Sequence, residues 1–461
     1  MPQPITAHAS LDGSVPPGTA TVAALRPLPL GQTGPPGLTR SEIENIHDLL
    51  APLSYLDGEL AVEGIPVSRL WDGSGSLLLY LADRAVDNYR SIHQAFAPHF
   101  DVSINCAIKA CYVSGVLSAL LEAGAGVEVA SELEWRMAHR LGVNPGQIVV
   151  NGMFRSPEHA RRLISQETHL LDIDSDEELE RLEFAARQLG MRPQVLVRVN
   201  PLPADAFFSD RSKLGLSPDD AYRLLERAAG SAHLEARGLH AHQLSRCADP
   251  ALFGRLAERM GELRAEFSAA TGAPLDTLDL GGGIETRYLL ERAGHTIGDF
   301  AAAAQEALGD QPGLHLLLEP GRYVFGDAAI GLTSVLGTKR RAGQDWLITH
   351  IGCNLLPPTS DRAYPPLPIR PTGETWSRFH VADPTPAPSR LHLDATLPGD
   401  AAQHGLALIG CGAYTAVRAS LWSTDLPDIA VLRGGRKTVI FDRAGQDAAV
   451  KTLFGIDLDG I

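Results

Sequence analysis

Between about residue 100 and residue 325, short β-prone apolar runs alternate with stretches whose apolar positions recur at helical spacing. The runs are Ser103–Ala110, Gly126–Ala130, Ile148–Asn151, His169–Asp174, Gln194–Asn200, Arg237–Gln243, Thr277–Gly281 and Leu314–Glu319. The stretches between them begin and end on recognisable signals. Ser131 stands three residues before Glu134, and Ser175 three before Glu178, which is the capping-box spacing. Ser156-Pro157 and Ser217-Pro218 each put a cap ahead of a first-turn proline. Gly124, Gly142, Gly190, Gly230, Gly272 and Gly309 fall where the helices should close. Eight strands, each but the last followed by a helix, predict a (β/α)8 TIM-like barrel of the α/β class, with an open doubly wound sheet as the alternative.

After residue 330 the helical rhythm nearly vanishes. Short β-like runs take over at Gly331–Thr338, Trp346–Ile351, Arg390–Leu393, Leu406–Ile409, Ile429–Leu432 and Thr438–Phe441, with proline-rich linkers at Pro357–Pro368 and Pro384–Pro388. This predicts a C-terminal all-β domain. The expected division is an extension over 1–40, a segment over 41–80 contributing to the β domain, the barrel over 81–330 and the β domain over 331–461. The β-prone run Gly58–Val67 is the basis for the second of these. Residues 1–40 are rich in Pro, Gly, Thr and Ala, so they bury too little apolar surface to offset the entropy of ordering.

Composition narrows the function classes. The 461 residues are 44% hydrophobic and 21% charged, within the range of globular proteins and long enough for a barrel and a partner domain. A formal net charge of -15 argues against nucleic acid and anionic membrane as partners, so a bound anion needs a local site. No apolar run is long enough to span a bilayer, and no signal-peptide core stands at the N-terminus. Five cysteines without a CxxC pair point to a reducing compartment, and a cytoplasmic location is expected.

The polar residues gather at the ends of the predicted strands. Lys109, Glu128, Arg198, His242, the Gly281–Gly283 run and Glu319 all lie at or just beyond C-terminal strand ends, which a parallel barrel converges on one rim. Lys109 sits in Ile-Asn-Cys-Ala-Ile-Lys-Ala-Cys. Apolar surroundings there would lower its pKa and leave a nucleophilic amine, unless the side chain reaches out into water. Leu-Asp-Leu-Gly281-Gly282-Gly283, Glu-Pro-Gly321-Arg322 and Ser245 each suit a phosphate, although none is specific alone. His240-Ala-His242 could suggest a metal, but no carboxylate or cysteine cluster of ligand spacing accompanies it. No metal is expected, and a packed core histidine is the alternative for one of the two. Glu319 ends an apolar strand and needs a cationic or protonated partner there: a pyridinium nitrogen, Arg322 or Arg198 would serve.

Taken in order, these motifs resemble the fold-type III pyridoxal-phosphate decarboxylases, the ornithine, arginine and diaminopimelate decarboxylases. Cys-Ala-Ile-Lys109-Ala is similar to the family's Tyr-Ala-Val-Lys-Ala, and Gly-Val-Glu128-Val-Ala-Ser to its Gly-Phe-Asp-Val-Ala-Ser. Ser-Lys213-Leu-Gly is similar to Ser-Lys-Phe-Gly, and Gly-Leu-His-Ala-His242-Gln-Leu-Ser245 to Gly-Leu-His-Cys-His-Ile-Gly-Ser. The Gly281–Gly283 run, Glu319-Pro-Gly321-Arg322 and Gly412-Ala-Tyr414-Thr match Gly-Gly-Gly, Glu-Pro-Gly-Arg and Gly-Ala-Tyr-Thr. The likeness runs from about residue 55 to the C-terminus and implies a barrel plus β domain of the alanine-racemase type. It implies pyridoxal 5'-phosphate carried on Lys109, with His242 stacked on its ring and Glu319 paired with the ring nitrogen. Ser245, Gly283, Gly321, Arg322 and Tyr414 would hold the phosphate, with Gly282, Glu128 and Arg198 also at the cofactor. Decarboxylation of an amino acid in a homodimer whose active site lies at the interface is the implied activity.

The match fails in three places. The family's Gly-Pro-x-Cys-x-x-x-Asp loop reads Val-Ala-Asp383-Pro-Thr-Pro386-Ala-Pro-Ser-Arg390 here, without the cysteine and with Arg390 near the position of the carboxylate. The Asp-(Gly/Ala)-Gly segment reads His350-Ile-Gly, and Trp422-Ser423 replaces Phe-Asn or Tyr-Asn. His350 and Arg390, with Arg362 or Arg370 nearby, suit an anionic far end better than an ammonium, unless they are simply surface residues on loops. The expected substrate is therefore an amino acid with an acidic, acylated or carrier-attached far end, as in specialised siderophore or antibiotic biosynthesis. Two alternatives share the fold: an amino-acid racemase or epimerase, and a non-catalytic partner-binding relative.

Overall fold

The computed structural model describes residues 37–202, 213–358, 360, 363–372, 375–388 and 390–458. Most of the expected N-terminal extension, and Arg362, lie outside these residues. Eight strands close a parallel barrel: β1 (Asp101–Ala107), β2 (Gly126–Val129), β3 (Ile148–Val150), β4 (Leu170–Ile173), β5 (Gln194–Arg198), β6 (Glu235–His240), β7 (Thr277–Asp279) and β8 (His315–Leu318). Each pairs with its neighbour in sequence, and Leu318 beside Ile104 closes the ring. All eight expected runs become these strands.

The helices between them start as the sequence predicts. Ser131, Ser156, Ser175 and Ser217 each accept a backbone N–H in the first turn. The capping boxes are only half formed, however. The Glu134 carboxylate accepts from Tyr112 Oη and the Ala130 N–H, and Glu178 is taken by Arg155 at 2.9 Å. Gly190 and Gly272 close their helices in the left-handed conformation, whereas Gly230 is the last helical residue of its helix and Ser231 is the cap.

Inside the barrel, sequence period becomes layering. Val149, Leu170, Leu196 and Leu317 form a small apolar cluster of their own. Two residues further along the same strands come Asn151, Asp172, Arg198 and Glu319, all buried. Side chains two apart face the same way on a strand, so the polar set sits directly above the apolar floor.

The β domain draws on both ends of the chain. A six-stranded sheet runs Pro366–Pro368, Leu406–Leu408, Ala329–Thr333, Ser76–Leu81, Asp428–Arg433, Arg436–Phe441. A four-stranded sheet contains Val335–Arg341, Gln344–Thr349, Trp376–Ala382 and His392–Pro398. Gly58–Val67 falls in a separate small sheet, tied to the β domain where the Leu60 N–H donates to Ile369 O at 2.8 Å. Ser76–Leu81 is unexpected at the centre of the larger sheet. Its unbroken apolar run (Leu-Leu-Leu-Tyr-Leu) abuts a helix and carries no alternation to mark it as a strand. The C-terminal helix Arg443–Phe454 also departs from the all-β expectation.

Candidate active site

A cavity of about 730 Å³ opens over the C-terminal ends of the barrel strands. It is lined by Lys109, Glu128, Arg198, His242, Ser245, Gly283, Glu319, Gly321, Arg322 and Tyr414 among others, so the structure gathers nearly the whole expected constellation. Lys109 stands in a single 3-10 turn, Ile108–Ala110, directly after β1. Its Nζ donates to Glu128 Oε2 across the β1–β2 gap. Burial alone would favour the neutral amine, but the Glu128 and Glu319 carboxylates outweigh it and hold the ammonium above its usual range. The apolar strand end therefore does not leave a neutral amine, because the carboxylates beside it decide.

Glu319 follows β8 on the floor of the cavity. Its Oε1 accepts from Asn151 Nδ2 at 2.6 Å, while Oε2 is buried without a hydrogen-bond partner. Burial and the neighbouring Asp279 push its pKa well above the carboxylate range. Burial likewise pushes Asp279 up to about 7. His240 bridges Glu319 to a further carboxylate: its Nδ1 meets Asp172 Oδ2 at 2.8 Å, and its Nε2 lies 3.7 Å from Glu319 Oε2. Above them His242 Nδ1 accepts the Gly282 N–H at 3.0 Å. Burial, with Lys109 and Arg198 nearby, lowers the His242 pKa far below the usual histidine range, so the ring is neutral.

This placement corrects one expectation. The Gly282 N–H is committed to His242 and cannot also hold an anion, and Gly282 does not line the cavity. The cradle narrows instead at Gly283 and Gly321. Gly283 has φ +100, and a Cβ there would stand 2.2 Å from Leu244 O. A Cβ on Gly321 would stand 2.8 Å from Tyr414 Oη. The Arg322 guanidinium lies 5.3 Å over the Tyr414 ring, and Tyr414 itself is held at φ +60. A non-glycine residue in that conformation is uncommon and marks a constrained, functional corner.

Residues 83–326 match the family described as "Pyridoxal-dependent decarboxylase, pyridoxal binding domain". The chain is 31% identical over 400 residues to the diaminopimelate decarboxylase of Pseudomonas aeruginosa, covering 84% of this chain and 94% of that one. The chain belongs to the pyridoxal-dependent decarboxylases. Two solved diaminopimelate decarboxylases share its fold. That of M. jannaschi has TM-score 0.80 and 21% identity over 86% of this chain and 96% of its own. That of Helicobacter pylori, complexed with L-lysine, has TM-score 0.72 and 24% identity over 81% and 95%.

As a pyridoxal-dependent decarboxylase the protein is a carboxy-lyase acting on an amino acid with pyridoxal 5'-phosphate as cofactor. The donor set fits that group on independent grounds. The orphaned Glu319 Oε2 suits a protonated ring nitrogen, Lys109 suits the aldehyde, and the space kept by Gly283 and Gly321 beside Arg322 suits a phosphate. Gly283→Ala is expected to weaken cofactor binding about tenfold or more, because a left-handed backbone and a blocked cradle both oppose a side chain. Titration of the cofactor-free protein followed by absorbance measures it.

The expected substrate-reading residues are placed elsewhere. His350, directly after the strand Gln344–Thr349, lines a separate cavity with Trp71, Asp72 and Lys437. Arg390 does not line the main cavity, and Arg370 pairs with Glu59 at 3.0 Å. The loop over 383–390 has no cysteine, but Cys353 Sγ, from another segment, lies 3.3 Å from Thr385 Oγ1. Sequence reading missed Asn151, Asp172, Arg246, Tyr364 and Arg418. Asp172 carried a usable signal, since it is a carboxylate on the apolar run Leu-Leu-Asp-Ile, the argument that singled out Glu319. The two-histidine pattern also gains its missing carboxylate from β8. His240, His242 and Glu319 bring ligand atoms within 4.8 Å of one another, an arrangement only the barrel creates.

Proposed function

We propose that this enzyme decarboxylates an amino acid whose far end is acidic, acylated or carrier-attached rather than a free ammonium, in specialised metabolism. The observation behind this reading is the charge of the cavity. Six cationic side chains line it against two carboxylates, Glu128 and Glu319, and both carboxylates sit at the base with partners of their own. Among the described lining residues no carboxylate is left for a distal ammonium. Diaminopimelate is the second reading. The relatives' names favour it, and the far end of that molecule carries a carboxylate as well as an ammonium.

In the proposed roles Lys109 would hold the cofactor, with the neutral His242 imidazole beside it. Glu319, oriented by Asn151 and His240, would supply the carboxylate for a protonated ring nitrogen. Gly283, Gly321, Arg322, Ser245 and Tyr414 would hold the phosphate, with Glu128 and Arg198 also at the cofactor. The bound cofactor supplies an electron sink for the charge left when CO₂ departs. The buried floor and the glycine-lined walls exclude water from that step. Two protomers would share the site, consistent with Phe154, 64% exposed, beside the cavity-lining Met153. A cytoplasmic location agrees with five unpaired cysteines.

The test is to incubate holoenzyme in D₂O with lysine, ornithine, diaminopimelate and a set of acidic and acylated amino acids, and to follow each by mass spectrometry. CO₂ loss with one deuterium gained is expected for an acidic or acylated member. Efficient turnover of lysine or ornithine instead would refute the reading. Deuterium entering Cα with the carboxylate retained would assign a racemase.

A further inference from the structure

We propose that Arg246 and Arg418 form a subsite at the cavity mouth that binds the anionic far end of the substrate. This rests on, and sharpens, the reading above. Arg246 follows Ser245 on the loop after β6, at φ +52, and faces Arg322, Glu285 and Tyr364. Arg418 comes from the β domain, on the turn Ala416–Arg418 that follows Tyr414. Both line the cavity. Among the described residues neither guanidinium has an ion-pair partner within 4.0 Å, whereas Arg322 has Glu285 at 3.8 Å.

The two arginines converge on one neighbour. Tyr364 lines the same wall, and its hydroxyl donates to Pro357 O at 2.9 Å. Burial raises the Tyr364 pKa, and Arg322, Arg246 and Arg418 all pull against that rise. Three guanidiniums and this phenol line one cavity in a protein whose net charge is -15. The cofactor phosphate accounts for one of them, Arg322, which shares its cradle with Gly283 and Gly321. Burial lowers the Arg246 pKa and the neighbouring Arg322 lowers it further, while Glu285 pulls the other way. Two planar forks reaching in from the barrel and the β domain suit a carboxylate, which accepts them bidentately. A distal ammonium would meet these two cations, with Glu285 as the neighbouring carboxylate that offers opposite charge.

Glutarate, a dicarboxylate without an amine, is the probe, titrated calorimetrically into the holoenzyme, with 1,5-diaminopentane as the contrasting diamine. The expected result is that glutarate binds, the diamine does not, and R246Q/R418Q weakens glutarate on the order of 100-fold. R246K/R418K should recover part of that loss, and the cofactor absorbance of each variant reports that it folds and loads. Tighter binding of the diamine, or glutarate binding unchanged in the glutamine variant, would overturn the subsite. A raised cofactor Kd in R246Q with glutarate affinity intact would also overturn it and assign Arg246 to the phosphate. If diaminopimelate proves to be the substrate while glutarate still depends on both arginines, the subsite stands and the broader reading fails.

Discussion

Lys109→Ala is expected to abolish decarboxylation, with a loss on the order of 10³-fold or more. The reason is positional. Lys109 is the amine that β1 delivers to the cavity floor, within reach of Glu128 and in the field of Glu319. Alanine also strips Glu128 of its partner, so lost activity alone would confuse chemistry with stability. Lys109→Arg separates the two: the cation beside Glu128 remains, but arginine stays protonated and cannot serve as the nucleophile. Both variants should lose CO₂ release, with the arginine variant keeping wild-type thermal stability within a few degrees. Borohydride reduction of the wild type should leave the cofactor's mass on the Lys109 peptide and on no other. Activity within tenfold of wild type in either variant would reject the assignment. The raised Lys109 pKa adds a pH dependence of known sign. Loading needs the neutral amine, and the carboxylates hold the ammonium to higher pH, so the loading rate of cofactor-free protein should climb as pH rises above neutral. Glu128→Gln removes the stronger carboxylate, raises the neutral fraction at a given pH, and should speed loading near pH 7.

The barrel is legible because its strands are buried on both faces and read as plain apolar runs, with serine caps or first-turn prolines marking four of the helix starts. The site was legible for the same reason, since parallel strands bring their C-terminal ends together wherever their polar residues fall in sequence. What escaped detection depends on non-local pairing. Ser76–Leu81 becomes a central strand only because Ala329–Thr333 and Asp428–Arg433 flank it from more than two hundred residues away. Trp376–Ala382, between proline-rich segments, becomes a strand through parallel pairing with Gln344–Thr349 and antiparallel pairing with His392–Pro398. His350 and Arg390 stand at family positions on connecting segments, where place in the sequence predicts geometry least. Arg246 and Arg418 lie beside motifs that were recognised, one residue past Ser245 and four past Tyr414. Their shared cavity is created by the packing of two domains, which spacing along the chain does not encode.

Glu319→Gln should lower kcat on the order of 10²- to 10³-fold while leaving cofactor bound. Glutamine matches glutamate in shape: Oε1 can still accept from Asn151, and Nε2 would occupy the position of the orphaned Oε2. What changes is charge. In the cofactor-free chain, burial and Asp279 push the Glu319 pKa well above the carboxylate range. A cationic ring nitrogen reverses that balance, because an opposite charge within hydrogen-bond reach favours the ionised form. Glutamine cannot make the exchange, so the ring would stay neutral and its capacity to take up charge would fall. The absorbance of bound cofactor between pH 6 and 9 distinguishes this from a packing defect: the wild type should keep one spectrum, and the variant should shift. His240→Gln offers an internal scale. It leaves Glu319 in place but removes the imidazole that joins Glu319 to Asp172, so its loss of kcat should be smaller than that of Glu319→Gln and in the same direction. A Glu319→Gln enzyme within threefold of wild type would mean that the ring nitrogen finds its partner elsewhere. Equal losses in the two variants would place the decisive charge on the Asp172–His240 pair rather than on Glu319.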